Sequence, residues 1–195
     1  MNFGVWFRLE FARSEYSLVI MLFSIGILLS LWISSMGATT KLFILDCDRT
    51  LWDGISSHLV GALRRSGEDS IADLLGRRIR LYPTVRETLK RLSDQGDLLS
   101  FVSWNTKGHL LLVLKLFGIL PLFRYGSVSL RPSKVRMVSR ILENTRDDGF
   151  DQDLLRVYFI DDGRRALKQV SAHYPWITVI QAEGLKTFEL LTCVT

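Results

Sequence analysis

Two aspartates separated by a single residue, Asp46 and Asp48, directly follow the apolar run 42–45. Two carboxylates this close repel each other when both are ionised, unless a cation or a proton relieves the repulsion. A second pair, Asp161 and Asp162, follows another apolar run much later in the chain. A hard divalent cation such as Mg²⁺ binds carboxylate oxygens, keeps several waters and leaves positions for a phosphate group. The four carboxylates therefore predict a magnesium-dependent phosphoryl-transfer site.

The elements that must position these residues alternate between apolar strands and helical periods from Lys41 onward. The sequence predicts strands at 41–45, 98–102, 125–130, 156–160 and 176–180, and helices that begin near residues 83, 107, 133, 164 and 183. Continuous apolar strands alternating with helices are typical of a parallel sheet covered on both faces. We therefore predict an α/β fold, a Rossmann-like three-layer α/β/α domain with a central parallel sheet.

Three of the predicted strands end at a polar residue, namely Asp46, Ser103 and Asp161. In open parallel sheets, ligands bind beyond the carboxyl ends of the strands. We therefore expect these three side chains to converge on one crevice. The remaining insertion, about 54–80, is long enough for a small lid and too short for a full cap domain, so the cap is predicted to be small or absent and the site open.

Helix caps and histidines are assigned structural roles. Ser133 is predicted to cap the helix that carries Lys134, and Asn105 with Thr106 to cap the helix that begins at Lys107. The three histidines lack any metal-ligand spacing and are predicted to be structural or surface residues: His58, His109 and His173.

The order and spacing of these motifs resemble the haloacid dehalogenase (HAD) superfamily over roughly residues 41–181. Asp46-x-Asp48-x-Thr50 resembles its first motif, Ser103 its second, Lys134 its third and Asp161-Asp162 its fourth. Within that superfamily, further segments resemble the magnesium-dependent phosphatase family: Leu51-Trp52, Leu81–Pro83, Leu122–Tyr125, Pro132–Lys134 and Asp161–Arg165.

The resemblance implies catalytic roles that agree with the chemistry of the residues. Asp46 would attack phosphorus and form an aspartyl-phosphate, since a carboxylate is a competent covalent nucleophile. Asp48 would act as the general acid and base. Ser103 would hydrogen-bond a phosphoryl oxygen, and Lys134 would supply fixed positive charge. Thr50 is expected to steady the turn after the strand.

The resemblance also implies a metal-ligand set. Mg²⁺ would be held by Asp46, by the backbone carbonyl of Asp48 and by Asp161, with Asp162 acting through a water or by orienting a ligand. Two positions depart from the family pattern. Arg49 stands where members often have glycine or an aromatic residue, and Gly163 stands where close relatives often have an acidic residue.

The leading functional prediction is an Mg²⁺-dependent phosphomonoester hydrolase, with a phosphoprotein, an aryl phosphate or a sugar phosphate as the substrate. Two alternatives stay open. One is a transferase of a phosphoryl or carrier-linked group on the same core. The other is a non-catalytic module that binds Mg²⁺ and phosphate, although such a module would not need both the nucleophile and the acid/base residue.

Composition restricts the partners and the compartment. The formal net charge of +5 is interpreted as a solvated surface, and no dense Lys/Arg run predicts nucleic-acid binding. Cys47 and Cys193 are far apart and outside any Cys-x-x-Cys pattern, so neither a disulfide framework nor a zinc site is expected. Cys47 is predicted to be a small buried apolar residue. These features favour a reducing, cytoplasmic location.

The N-terminal region 1–36 is predicted to be separate from a phosphatase domain at 37–195. It contains an apolar, uncharged stretch at 16–33 that is just long enough to span a bilayer. Two interpretations have similar weight: a membrane anchor, which leaves the side of the catalytic domain undetermined, and a wrongly assigned start with translation beginning at Met36. A signal peptide is less favoured.

Overall fold

A computed structural model describes residues 40–131, 133–184, 187–188 and 191. The predicted membrane segment 16–33, Pro132 and Cys193 lie outside the described residues. In chain order the strands are β1 (Lys41–Asp46), β2 (Arg64–Gly67), β3 (Ser70–Ala72), β4 (Arg78–Arg80), β5 (Leu98–Ser103), β6 (Tyr125–Val128), β7 (Arg156–Asp161) and β8 (Thr178–Gln181). The helices are α1 (Val85–Asp94), α2 (Lys107–Leu116), α3 (Lys134–Asp147) and α4 (Arg164–His173).

Five strands form a parallel sheet in the order β6-β5-β1-β7-β8, with β1 at its centre. On one side of β1, Asp46 pairs with Val102, so Ser103 lies one residue further along β5. On the other side, Leu45 pairs with Ile160, so that Asp46 and Asp161 come next on adjacent strands. The register therefore places the three predicted strand-end residues side by side.

The two faces of this sheet belong to two separate apolar clusters. Phe43 and Leu45 pack with residues of α1 and α2, whereas Leu42 and Ile44 pack with residues of α3 and α4. The alternation follows from the period of two along a strand. The predicted three-layer α/β/α fold with a central parallel sheet is confirmed.

Several element boundaries differ from the predictions. β6 ends at Val128 rather than residue 130, because the Ser129 hydroxyl accepts a hydrogen bond from Arg131 N (3.1 Å) and turns the chain. β8 begins at Thr178 rather than residue 176, because Ile177 N donates to the Tyr174 carbonyl (3.0 Å) in a turn. The last predicted helix is described at residues 187, 188 and 191, where the backbone is helical.

One predicted cap is confirmed and one is wrong. Ser133 Oγ accepts from Arg136 N (3.4 Å) at the start of α3, as expected. The N-cap of α2 is Thr106, whose side chain makes no capping hydrogen bond. Asn105 does not cap the helix either, because its Oδ1 accepts from Thr106 N (2.8 Å), before the first turn of the helix, while its amide nitrogen donates to Ser56 Oγ (2.9 Å). The side chain is used in a contact that is distant in sequence.

The insertion after β1 contains a three-stranded antiparallel sheet in the order β2-β3-β4. The turn between β3 and β4 is held by buried Asp73, which accepts hydrogen bonds from Val60 N, Leu75 N and Arg77. The insertion is thus a small sheet, in agreement with the predicted small cap. None of the helices within the described ranges is long and apolar enough to cross a membrane.

Candidate active site

A cavity of about 610 Å³ opens at the carboxyl ends of β1, β5 and β7. All six residues predicted from the sequence line it: Asp46, Asp48, Ser103, Lys134, Asp161 and Asp162. Among the described residues, the cavity is also lined by Arg49, Ile55, Ser57, Trp104, Gly163, Arg165 and Ala166. The convergence expected from the ends of the strands is therefore observed.

The ammonium group of Lys134 lies at the base of this cavity, and the residue is only 3% exposed. It forms an ion pair with Asp46 Oδ1 and lies 3.3 Å from Asp161 Oδ2. It also donates to the Val102 carbonyl (3.4 Å) and lies 5.4 Å from the centroid of the Trp104 ring. Removing an ammonium from water costs several kcal/mol, and this desolvation is offset here by two carboxylates and a carbonyl.

Three carboxylates lie close together beside this lysine. One oxygen each of Asp46, Asp161 and Asp162 can be chosen so that all three lie within 4.8 Å of one another. Asp161 Oδ1 accepts a hydrogen bond from Gly163 N (2.8 Å), whereas Asp161 Oδ2 is buried and makes no hydrogen bond with any described residue. A buried carboxylate oxygen without a hydrogen bond indicates an atom available to a cation.

The pKa values of Asp46 and Asp162 are raised by burial and by the negative charge of Asp161. Burial raises the pKa of Asp46 to about 7; Lys134 opposes the shift and the Asp161 charge adds to it. The pKa of Asp162 is raised by burial and then by Asp161. Asp46 and Asp161 thus compete for one lysine, and together with Asp162 they carry more negative charge than that lysine neutralises. The arrangement fits a divalent cation.

Asp48 has a different environment from the other three aspartates. Its Oδ1 accepts hydrogen bonds from Trp52 Nε1 (2.8 Å) and from Ser56 N (2.8 Å). Its side chain is not a member of the acidic group formed by the described residues Asp46, Asp161 and Asp162. Its side chain is therefore separate from that group, and both its acid/base role and metal binding by its backbone carbonyl stay predictions.

The loop after β1 turns sharply at Arg49, which has a left-handed backbone (φ 61°). The turn is closed by hydrogen bonds from Thr50 N (3.2 Å) and Leu51 N (2.8 Å) to the Cys47 carbonyl. Glycine adopts this left-handed backbone at the least steric cost, which agrees with the glycine that the family resemblance implies at this position. The Thr50 hydroxyl is buried and has no hydrogen-bond partner among the described residues, so its steadying contact comes from the backbone alone.

Two small residues complete the carboxyl ends of the strands. Ser103 is buried at the end of β5 with its side chain in the lining. Gly163 stands beside Asp161, and a Cβ atom there would lie 3.0 Å from Asp161 Oδ1. The absence of a side chain therefore allows the close approach of the Gly163 amide. Cys47 is buried, which raises the pKa of its thiol and keeps it protonated.

Ser56 was not identified from the sequence, although three of its groups make contacts around the site. It lies in a short 3-10 helix, Ser56–His58, within a segment without motif or periodicity, so no sequence signal pointed to it. His109, assigned a structural role, contacts the Ser56 carbonyl through Nε2 (2.8 Å). His58 and His173 are exposed, as predicted for surface residues.

Comparison with known proteins gives two informative similarities. The chain is 37% identical over 62 residues to human magnesium-dependent phosphatase 1, a match that covers 31% of this chain and 35% of that protein. No protein-family model matches the chain.

The fold is similar to a crystal structure of the N-terminal part of protein BF1531 from Bacteroides fragilis, described as containing a phosphatase domain complexed with Mg. The TM-score is 0.57 at 19% identity, and the match covers 81% of this chain and 40% of the other. Both matches therefore span less than half of the known protein. The fold of this match, the motif residues around the cavity and the local sequence similarity all agree with the resemblance to the haloacid dehalogenase superfamily.

Proposed function

We propose that the chain is an Mg²⁺-dependent phosphomonoester hydrolase that acts through an aspartyl-phosphate on Asp46. The observation that carries the proposal is the buried arrangement around that residue. Lys134 forms an ion pair with Asp46, Asp161 and Asp162 crowd it with negative charge, and Asp48 lies at the same cavity. A site built only to bind phosphate would gain nothing from a carboxylate facing the ligand.

The metal would be held by the carboxylates of Asp46, Asp161 and Asp162, together with the backbone carbonyl of Asp48. Asp161 Oδ2, which makes no hydrogen bond and lies 3.3 Å from the Lys134 ammonium, and the short separation of the three carboxylates support this ligand set. When bound, Mg²⁺ neutralises the carboxylates and the transferring phosphoryl oxygens, so that an anionic nucleophile can approach an anionic ester.

The protein's own residues would perform hydrolysis in two steps. In the first, an Asp46 oxygen forms a bond to phosphorus while the bond from phosphorus to the ester oxygen breaks, and Asp48 gives its proton to that oxygen. In the second, Asp48 takes a proton from water as the water attacks phosphorus and releases Asp46. Ser103 and Lys134 would stabilise the phosphoryl oxygens throughout, since both line the cavity.

The lining residues support an open site for phosphoesters of varied size. Among the described residues, the insertion contributes Ile55 and Ser57 to the lining, and no residue of β2, β3 or β4 does so. Phosphoproteins, aryl phosphates and sugar phosphates would all be admitted by such a site. Arg49 and Arg165 add positive charge around the opening, which favours anionic esters.

The test is the hydrolysis of a phosphoester panel by the full chain, with Mg²⁺ or with a chelator, in the wild type and in Asp46→Asn. We expect chelation to abolish turnover and Asp46→Asn to reduce it by at least about 10³-fold, because the variant lacks the nucleophile. Asp94→Asn is the matched control, since Asp94 is exposed on α1 in a pair with Lys90. Full activity in Asp46→Asn would refute the proposal.

The same panel separates the two alternatives. A transferase would deliver the phosphoryl group to an added acceptor alcohol, whereas a hydrolase releases only inorganic phosphate. A binding module would turn over no ester with Mg²⁺ present, although it would still bind inorganic phosphate in a calorimetric titration.

A further inference from the structure

Asp48 is held by two donors that both contact the same oxygen. Trp52 Nε1–H and the Ser56 backbone N–H donate to Asp48 Oδ1, each at 2.8 Å. None of the hydrogen bonds between described residues involves Asp48 Oδ2, and the residue lines the cavity. Two donors on one carboxylate oxygen fix the plane of the group and leave the other oxygen to carry a proton.

The Ser56 donor is itself held by hydrogen bonds from two residues that follow β5. Asn105 Nδ2 donates to Ser56 Oγ (2.9 Å), and the Ser56 carbonyl accepts from His109 Nε2 (2.8 Å). A carbonyl can only accept, so His109 carries its proton on Nε2. Ser56 is fully buried, Asn105 is 3% exposed, and a buried polar group that loses its partner costs about 1–3 kcal/mol. The amide, hydroxyl and carbonyl groups of Ser56 are thus all held by hydrogen bonds, although no regular strand or long helix surrounds the residue.

The connection also links two motifs of the site. Asp48 and Ser56 follow β1, whereas Asn105 and His109 follow β5 and begin α2. Trp52, the second donor, is fully buried and stacks on Phe117, with ring centroids 5.5 Å apart. The orientation of Asp48 is therefore set through Trp52 by its packing on Phe117, and through Ser56 by the contacts with Asn105 and His109.

We propose that Trp52, Asn105 and His109 are positioning residues that orient Asp48 for proton transfer to the leaving oxygen, the last two acting through Ser56. The proposal rests on the proposed function, in which Asp48 is the general acid. Trp52 acts directly on Oδ1 of Asp48. Asn105 and His109 touch neither the substrate nor the reacting atoms, and they set the position of the Ser56 amide.

The experiment measures kcat/KM for a series of aryl phosphates whose leaving phenols range from acidic to weakly acidic. A departing 4-nitrophenolate needs little protonation, whereas a departing phenolate needs a well-placed acid. General acid–base catalysis contributes typically about 10²–10⁴-fold, so partial misplacement of the acid should remove a fraction of that factor. For His109→Leu and for Trp52→Phe we expect a loss of about 10- to 100-fold with phenyl phosphate and less than about threefold with 4-nitrophenyl phosphate.

Matched variants distinguish positioning from general damage. His109→Gln replaces the donor at Nε2 with an amide and should restore most of the activity toward phenyl phosphate. His173→Leu and Trp176→Phe make the same changes at exposed positions of α4 and the segment after it, and should leave the whole series unchanged. Trp52→Phe keeps an aromatic ring against Phe117 and removes the donor to Asp48, so we expect it to fold. It therefore tests the proposal by itself if His109→Leu does not fold.

Parallel losses across the whole series in both His109→Leu and Trp52→Phe would overturn the proposal, because a merely structural role lowers the rate regardless of the leaving group. No recovery in His109→Gln would overturn the role of His109. A wild-type chain that hydrolyses no member of the series with Mg²⁺ would instead refute the proposed function. The two failures are therefore distinguishable.

Discussion

Lys134 is the cation on which the buried carboxylates depend, and replacing it with methionine should destabilise the metal-free protein strongly. Methionine keeps most of the side-chain volume and removes the charge. The ammonium contacts Asp46 and lies 3.3 Å from Asp161 Oδ2, with all three side chains at most 9% exposed. Removing one partner of a buried ion pair costs about 3–5 kcal/mol, because the remaining charge has no compensation. We expect a loss of this size for Lys134→Met in the presence of a chelator at about pH 8.

The stability lost in Lys134→Met should depend on pH and on the presence of Mg²⁺. Burial raises the pKa of Asp46 to about 7, so below this pH the carboxyl group is largely protonated and needs the lysine less. At about pH 5.5 the difference in unfolding free energy between Lys134→Met and the wild type should therefore be smaller than at about pH 8. Saturating Mg²⁺ should also reduce it, since the metal neutralises the same carboxylates.

The assay is urea unfolding followed by circular dichroism, with Lys90→Met as the matched control. Lys90 pairs with Asp94 on the surface of α1, with both side chains more than 60% exposed. An exposed pair of this kind contributes about 0.2–1 kcal/mol. The reasoning is refuted if Lys134→Met loses no more stability than Lys90→Met at about pH 8 without metal.

Three further predictions concern the metal affinity, the stability of the metal-free protein and the edge of the sheet. Because Mg²⁺ requires an ionised Asp46, its affinity should fall about tenfold per pH unit below a pKa of about 7 and level off above it; a flat calorimetric profile between about pH 5.5 and 8 would contradict the assigned ligand. The raised pKa also means that metal-free stability should fall as pH rises from about 4 to 7, since the folded state binds more protons there. Gly126→Ala in β6 should cost about 1–3 kcal/mol in urea unfolding, because its Cβ would lie 2.7 Å from two carbons of the Phe101 ring; an unchanged midpoint would show that the edge strand shifts freely.

Much of the fold and site followed from local patterns in the chain. Apolar runs at 42–45 and 157–160 must be buried on both faces, so they predict central parallel strands, and the polar residue after each run must lie at the carboxyl end. Asp46, Ser103 and Asp161 could be brought together on this basis because parallel strands share one end. Lys134 was found through the motif pattern, since a lysine at a helix start is otherwise an ordinary surface residue.

The network around Asp48 could not be predicted, because it depends on the irregular turn that brings Trp52 and Ser56 to Asp48 and on contacts of Ser56 with Asn105 and His109, which are distant in sequence. Asn105 is a residue type that often caps helices. Only the tertiary fold brings it to Ser56, 49 residues away in the chain, where its amide nitrogen donates to the Ser56 hydroxyl. The small sheet β2-β3-β4 was also unforeseen, since its short strands carry few apolar residues and depend on Asp73 in the connecting turn.

The two aspartates after β1 show the division most clearly. The sequence by itself determined that Asp46 and Asp48 lie at the end of a buried strand, because an apolar run and its polar stop are local features. Only the tertiary structure decided their separate environments. Lys134 and Asp161 reach Asp46 from α3 and β7, while Trp52 and Ser56 hold Asp48 away from the acidic group. The charge and the hydrogen bonds that distinguish two identical side chains come from residues that are neighbours in space.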